Sequence, residues 1–263
     1  MSALPIAVIK IGGSLVDDLS AMQALMDGLL RLRRTHRFVL VHGGGKQSTT
    51  LARRLGHEPT MIHGRRVTSD LDLSVALWTM RGEVNTRLTA LLQQAGMRAA
   101  GISGADAQTV LVTRRPPWTI DGHEVDFGHV GDVRHISTDL IHALLAAGIV
   151  PVVSTIGIDT DGKLYNVNAD TVATEISKAL SAARIMYIAE SGGVRRDVSD
   201  PASHFVNFTA ADLEQGVAEG WIVDGMRVKL DVAYAAVDAG IAEVYIGGPG
   251  DVASPERATR ISP

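Results

Sequence analysis

The chain has 263 residues, 46% hydrophobic and 21% charged, an ordinary globular composition that fits one large α/β domain or two small ones. Its net charge of -4 and its 4% aromatic content exclude a general basic field or a base-stacking platform for nucleic acid. There is no cysteine for disulfides or thiolate metal sites. The start, Met1-Ser2-Ala3-Leu4-Pro5, has no leader pattern, and no run reaches the ~18 apolar residues of a membrane span, so a cytoplasmic protein is expected.

Residues 6–11 read as an apolar strand interrupted by Lys10 and closed by Gly12-Gly13. A lysine two residues before paired glycines stands where an anion can approach bare backbone; an edge-strand or snorkelling lysine gives the same pattern. Ser20 is the expected cap of a helix burying Met22, Leu25, Met26 and Leu29. Residues 38–41 form a second strand, followed at once by His42-Gly43-Gly44-Gly45-Lys46 and a helix. Consecutive glycines at a helix start expose orphan N–H donors at the positive end of the dipole, which is an anion site. Two successive strand–glycine–helix units imply parallel strands with both turns at one edge of the sheet, where ligands bind.

Arg65-Arg66 lead into a long helix with Val75, Trp78, Val84, Leu88 and Leu91 on its apolar face, ended by Gly96. Guanidinium grips carboxylates in a bidentate fork, so the twin arginines are candidate anion clamps. Residues 109–133 are β-rich, with a break at Pro116-Pro117 and a hairpin signal at Asp121-Gly122, and read as a lid beside the site. His123, His129 and His135 lack metal-ligand spacing and are assigned to surface or packing. After a helix capped by Thr138 and a strand over residues 149–154 comes Asn166-Val167-Asn168-Ala169-Asp170. This polar cluster opens a helix carrying Val172, Ile176 and Leu180. Further strands are expected at 184–189, 243–246 and 259–261, with helices after Thr209 and through Lys229. One continuous sheet is expected, with a change of lobe near residues 175–190.

In this order the motifs resemble the amino acid kinase family, and within it the N-acetylglutamate kinases. The matching pieces are Ile9-Lys10-Ile11-Gly12-Gly13, Val41-His42-Gly43-Gly44-Gly45, Gly64-Arg65-Arg66-Val67-Thr68 and Gly128-His129-Val130-Gly131. They continue with Val152-Val153-Ser154-Thr155-Ile156-Gly157, Asn166-Val167-Asn168-Ala169-Asp170 and Asp224-Gly225-Met226-Arg227-Val228-Lys229, and span residues 6–230. The resemblance implies a three-layer αβα sandwich with a mainly parallel central sheet. It implies a single domain, 1–263, with residues 1–180 binding the amino acid and 181–263 binding ATP with Mg²⁺. The implied reaction is phosphorylation of the side-chain carboxylate of N-acetyl-L-glutamate in arginine biosynthesis. By the same resemblance Lys10 and Lys229 stabilise the transferring phosphoryl group, and Asp170 orients them. Gly44, Gly45, Arg66 and Asn166 hold the acylated amino acid. Gly12, Gly13, Glu190 and Gly193 serve the nucleotide, and no resident metal site is implied.

The residues agree chemically. Phosphoryl transfer needs positioning and charge neutralisation, and a carboxylate nucleophile is already ionised near neutral pH. Three departures from the family pattern stand out, one of them Ala258-Thr259 in place of the family's glycine-threonine near the C-terminus. Ala189-Glu190-Ser191-Gly192-Gly193-Val194 replaces the usual nucleotide loop, and Glu190 with Tyr187 resembles a divergent branch that uses N-succinyl-L-glutamate. A third carboxylate would need a cation, and Arg65, Arg114 and Arg115 are the candidates. Only nine residues precede Lys10, so a homodimer without the N-terminal helix of arginine-inhibited hexamers is expected. The competing reading of another class is a catalytically impaired amino-acid sensor. A dinucleotide dehydrogenase ranks last, because neither turn has Gly-x-Gly-x-x-Gly spacing.

Overall fold

The apolar runs of the sequence become the middle of one sheet. The structure, a computed structural model, describes residues 4–263, with Asp224 described by its backbone alone. Residues 1–3, part of the stretch read for a leader, lie outside the described residues. In chain order the first half holds β1 (Ile6–Ile11), α1 (Leu19–Leu32), β2 (Arg37–His42), α2 (Gly45–Arg54), β3 (Met61–Ile62), β4 (Arg65–Arg66), α3 (Asp70–Ala76), α4 (Asn85–Gln94) and β5 (Ala99–Ser103). Then come β6 (Val110–Arg114), β7 (Trp118–Ile120), β8 (His123–Val125), β9 (Gly131–Ile136), α5 (Asp139–Ala146), β10 (Val150–Ser154), β11 (Ile156–Ile158), β12 (Leu164–Asn166) and α6 (Ala169–Ala179). The chain closes with β13 (Arg184–Ile188), β14 (Asn207–Phe208), α7 (Ala210–Ala218), α8 (Asp224–Asp238), β15 (Glu243–Gly247) and β16 (Thr259–Ile261).

The main sheet has eight strands in the order β14-β16-β15-β13-β1-β2-β10-β5, parallel except where β15 meets β16. β1 is buried at every position, as a central parallel strand covered on both faces must be. Alternation along it sorts the two faces. Ile6 and Val8 join the core built with α5, α6 and α8, whereas Ala7, Ile9 and Ile11 join the core built with α1 and α4. The result is the expected αβα sandwich. No helix among the described residues is long and apolar enough to cross a membrane.

Three expectations are corrected. The excursion does not extend the main sheet: β6 and β9 pair with β11 and β12 in a separate four-stranded sheet, while β7 and β8 form the hairpin over Asp121-Gly122. The cap of α1 is Asp18, not Ser20. Asp18 keeps an extended backbone after a 3₁₀ turn, and its carboxylate accepts the Ala21 N–H at 3.0 Å. The long helix from α3 to α4 is widened into a π-helical stretch over Leu77–Val84. That resets the helical phase, so Val75, Val84 and Leu88 are buried while Trp78 is 56% exposed.

Candidate active site

The same alternation that sorts the cores aims Lys10. It has the parity of Ile6 and Val8, so it points to the face covered by α6 and α8. There Lys10 Nζ lies 2.9 Å from Asp170 Oδ1, and Lys229 Nζ lies 3.6 Å from the same oxygen. Asp170 stands in the first turn of α6, which Asn168 caps by accepting the Thr171 N–H at 3.0 Å. A carboxylate there is favoured by the helix dipole. Burial alone would raise the Asp170 pKa, but Lys10 and Lys229 outweigh it and hold the group below its ordinary value. Lys229 is lowered, first by burial and then by Lys10, with Asp170 opposing. One carboxylate therefore holds two cations that would otherwise repel.

Lys10 and Lys229 open onto a cleft of about 350 Å³ that is also lined by Gly12, Ser14, Ile188, Glu190 and Ser191. The cleft lies at the carboxyl ends of the adjacent parallel strands β1 and β13, where an α/β sheet places its ligands. Of the residues assigned to the nucleotide, Gly12 and Glu190 line it. Gly13 and Gly193 do not, and packing explains both glycines. A Cβ on Gly13 would sit 2.7 Å from Gly44 Cα, so the two glycine turns pass back to back. Gln47 ties them by donating to the Gly13 carbonyl at 2.7 Å. A Cβ on Gly193 would collide with His204 and Thr259. Tyr187 is also a packing residue, fully buried with its hydroxyl 2.6 Å from Thr174 Oγ1, one turn along α6 from Asp170.

The second glycine turn starts α2 with Gly44 at the N-cap, and the position above Gly45 is open. Arg66, from β4, reaches this helix start. Its Nη2 donates to Thr49 Oγ1 at 2.5 Å and to the Gly45 carbonyl at 3.2 Å. Its Nη1 lies 3.7 Å from Asp72 and is a buried donor without a hydrogen bond. Asn166 donates at 3.3 Å to Oγ1 of Thr68, two residues along the chain from Arg66.

The lid reading gains contacts. The β3–β4 and β7–β8 hairpins touch at their tips through His63 and Asp121, 3.2 Å apart. Trp118 lies between two guanidinium groups, Arg65 at 4.9 Å and Arg115 at 4.5 Å from its ring centroid. Arg114 is paired with Asp126 and Arg115 with Asp132, whereas Arg65 makes no salt bridge among the described residues.

One buried network was not anticipated. His42 continues the parity of Phe38 and Leu40 and so faces α4. Its Nδ1 lies 2.9 Å from the Gly43 carbonyl and its Nε2 2.9 Å from Asn85 Nδ2. Asn85 also donates to the Val152 carbonyl at 2.8 Å and accepts from Arg81 at 3.1 Å. The amide donor on Nε2 fixes a neutral ring with its proton on Nδ1, donating to Gly43. Burial lowers the His42 pKa to about 4, with Arg81 adding to it and the Gly43 bond opposing. The network braces the glycine turn from below. Its signal in the sequence is a polar residue at the last position of an apolar strand.

Residues 5–248 match the family described as "Amino acid kinase family". The chain belongs to the amino acid kinase family. Among its relatives, the acetylglutamate kinase of Methanopyrus kandleri is 38% identical over 239 residues, covering 91% of this chain and 93% of that protein. The acetylglutamate kinase of Bacteroides thetaiotaomicron is 39% identical over 244 residues, covering 92% of each. The crystal structure of smu.665 from Streptococcus mutans UA159 superposes with a TM-score of 0.81 at 26% identity and covers 98% of both chains. In this amino acid kinase, the two lysines and Asp170 meet at the carboxyl edge of the main sheet. The glycine turn after β2 is braced on Gly13, Met80 and His42.

Proposed function

We propose that the protein transfers the γ-phosphoryl group of ATP to the side-chain carboxylate of N-acetyl-L-glutamate, the acyl-phosphate-forming step of arginine biosynthesis. The observation that carries the reading is the pair Lys10 and Lys229, held by the buried Asp170, both lining one cleft. The relatives named acetylglutamate kinase support the substrate. Residues 181–263, with Glu190 and Lys229, serve the nucleotide, and residues 1–180, with Gly44, Gly45, Arg66 and Asn166, serve the amino acid. Mg²⁺ enters with ATP as co-substrate and neutralises phosphate charge; among the described residues no three His, Cys, Asp or Glu cluster to hold a metal.

The chemistry follows from charge. The acceptor carboxylate is ionised and needs no base. It attacks the γ-phosphorus, the bond to the bridging oxygen breaks, and ADP leaves with the electron pair. Lys10 and Lys229 face the oxygens on which negative charge collects, and Asp170 fixes the lysines beforehand, so little reorganisation is needed. Arg66, held by Thr49, the Gly45 carbonyl and Asp72 beside the open Gly45 turn, supports a role in gripping a substrate carboxylate. Acetyl is favoured over succinyl because Arg114 and Arg115 already pair with carboxylates, leaving only Arg65 for a third one. The enzyme is proposed to work in the cytoplasm as a homodimer, which sedimentation checks. The functional test is ADP release with N-acetyl-, N-succinyl- and free glutamate. N-acetylglutamate should give the highest kcat/KM, and a binding protein without turnover on any of the three would contradict the proposal.

A further inference from the structure

A second cavity, of about 300 Å³, lies at the opposite end of the main sheet from the lysine cleft. It opens where β2 and β10 begin and just before β5, at Arg37, Val150 and Arg98. Its floor is apolar, made by Phe38, Met97 and Ile149. Arg33, Arg37 and Arg98 reach it from three different stretches of chain. Each guanidinium donates one hydrogen bond, to a backbone carbonyl: Arg33 to Gly96 at 3.2 Å, Arg37 to Leu4 at 3.1 Å and Arg98 to Ala147 at 3.2 Å. Two of these carbonyls close the ends of α4 and α5, so helix capping accounts for one donor on Arg33 and one on Arg98. It leaves the rest of each five-donor fork unused.

No Asp or Glu lines the cavity, and none of the three arginines is in a salt bridge among the described residues. About half of the guanidinium groups elsewhere among the described residues have a carboxylate, among them Arg53, Arg87, Arg114, Arg115, Arg184, Arg196 and Arg227. In a chain with net charge -4, three unpaired arginines converging on one concave site are a local reversal of sign. An anion that enters the cavity meets three guanidinium groups with donors to spare and no competing carboxylate in the lining. The apolar floor adds a second requirement, since a fully hydrated ion gains nothing from it. The volume is at the small end of ligand cavities.

We propose that this cavity binds a small organic anion: a carboxylate or phosphate gripped by Arg33, Arg37 and Arg98, carried on an apolar body that rests on Phe38, Met97 and Ile149. The site is separate from the phosphoryl-transfer cleft and does not depend on what that cleft phosphorylates.

The test is calorimetric titration of the whole protein with phenyl phosphate, in saturating MgADP so that the lysine cleft is occupied. One phenyl phosphate should bind per chain, at least tenfold more tightly than inorganic phosphate, and more weakly as salt rises. Arg37→Met and Arg98→Met keep much of the aliphatic stem and remove the charge. Each should weaken binding by about tenfold or more, the scale of one charge-assisted hydrogen bond, with little change in melting temperature. If one variant fails to fold, the other carries the test, and a shift of the His36 ring signals on titration reports the same site by NMR. The proposal is overturned by no saturable binding at millimolar phenyl phosphate or by equal affinity in both arginine variants. Equal binding of inorganic phosphate, or displacement by MgADP, overturns it too.

Discussion

Lowering the pH should destabilise this protein through His42. The ring is fully buried and neutral, and its pKa is held down to about 4. In the unfolded chain the same ring titrates near 6.5. Between those values the unfolded state binds more protons than the folded one, so stability is full above about pH 6.5 and falls as pH drops toward about 4. The difference of about 2.5 pH units corresponds to roughly 3 kcal/mol, of which about 2 kcal/mol is lost between pH 7 and pH 5. For a chain of this length that is a fall of roughly 5 °C in Tm. The assay compares thermal unfolding of the native protein and His42→Leu across pH 4–7. The variant starts less stable, because Asn85 and Gly43 lose a partner. Its stability should nevertheless depend less on pH, by about 2 kcal/mol between pH 7 and 5. Other histidines and carboxylates titrate in both proteins and cancel in the comparison. Parallel pH profiles would refute the reasoning, as would a His42 proton signal that titrates near pH 6.5 in the folded protein.

Lys229→Ala should lower kcat by about 10²–10³, as loss of one donor to developing charge does, while the protein stays folded; near-normal turnover in a stopped assay would remove Lys229 from the mechanism. Arg66→Lys should raise the KM for N-acetylglutamate and leave that for ATP unchanged, because a point charge cannot replace the fork. A change confined to the KM for ATP would reverse the assignment of the two lobes. Gly44→Ala places a methyl 2.7 Å from Met80 Cγ and should cost about 1–3 kcal/mol in chemical denaturation, with a disturbed glycine turn and weaker substrate binding. Unchanged stability and KM would mean that the turn is not braced on Met80.

Much of the fold is legible in the chain because its signals are local. Apolar runs ending in glycines mark β1 and β2, and Gly96 and Gly240 mark helix ends with positive φ of 76° and 84°. The lysine pair is legible as residue types, but its meeting point is not. Lys10 and Lys229 are far apart in sequence, and only strand parity combined with the sheet order brings β1, α6 and α8 together. Gly13 and Gly193 read as phosphate glycines, and packing gives each a reason of its own, because a glycine required by packing looks the same in sequence as one required by a ligand. The π-helical stretch after α3 leaves no signal in the sequence for a related reason: periodicity assumes a constant turn, which puts Trp78 on the buried face. The four-stranded sheet joins residues 110–114 and 131–136 to residues 156–166. Strand propensity does not specify which sheet a strand enters.

Lys10, fixed by Asp170, is proposed to stabilise phosphoryl transfer to a carboxylate. The most direct measurement is ³¹P NMR of the native protein and Lys10→Ala, each with MgATP and N-acetyl-L-glutamate. An acyl-phosphate signal should grow together with ADP in the native protein, and about 10²–10³ more slowly in a folded Lys10→Ala. ADP formation without an acyl phosphate, its signal or its hydroxylamine-trapped product, or equal rates in the two proteins, would contradict it.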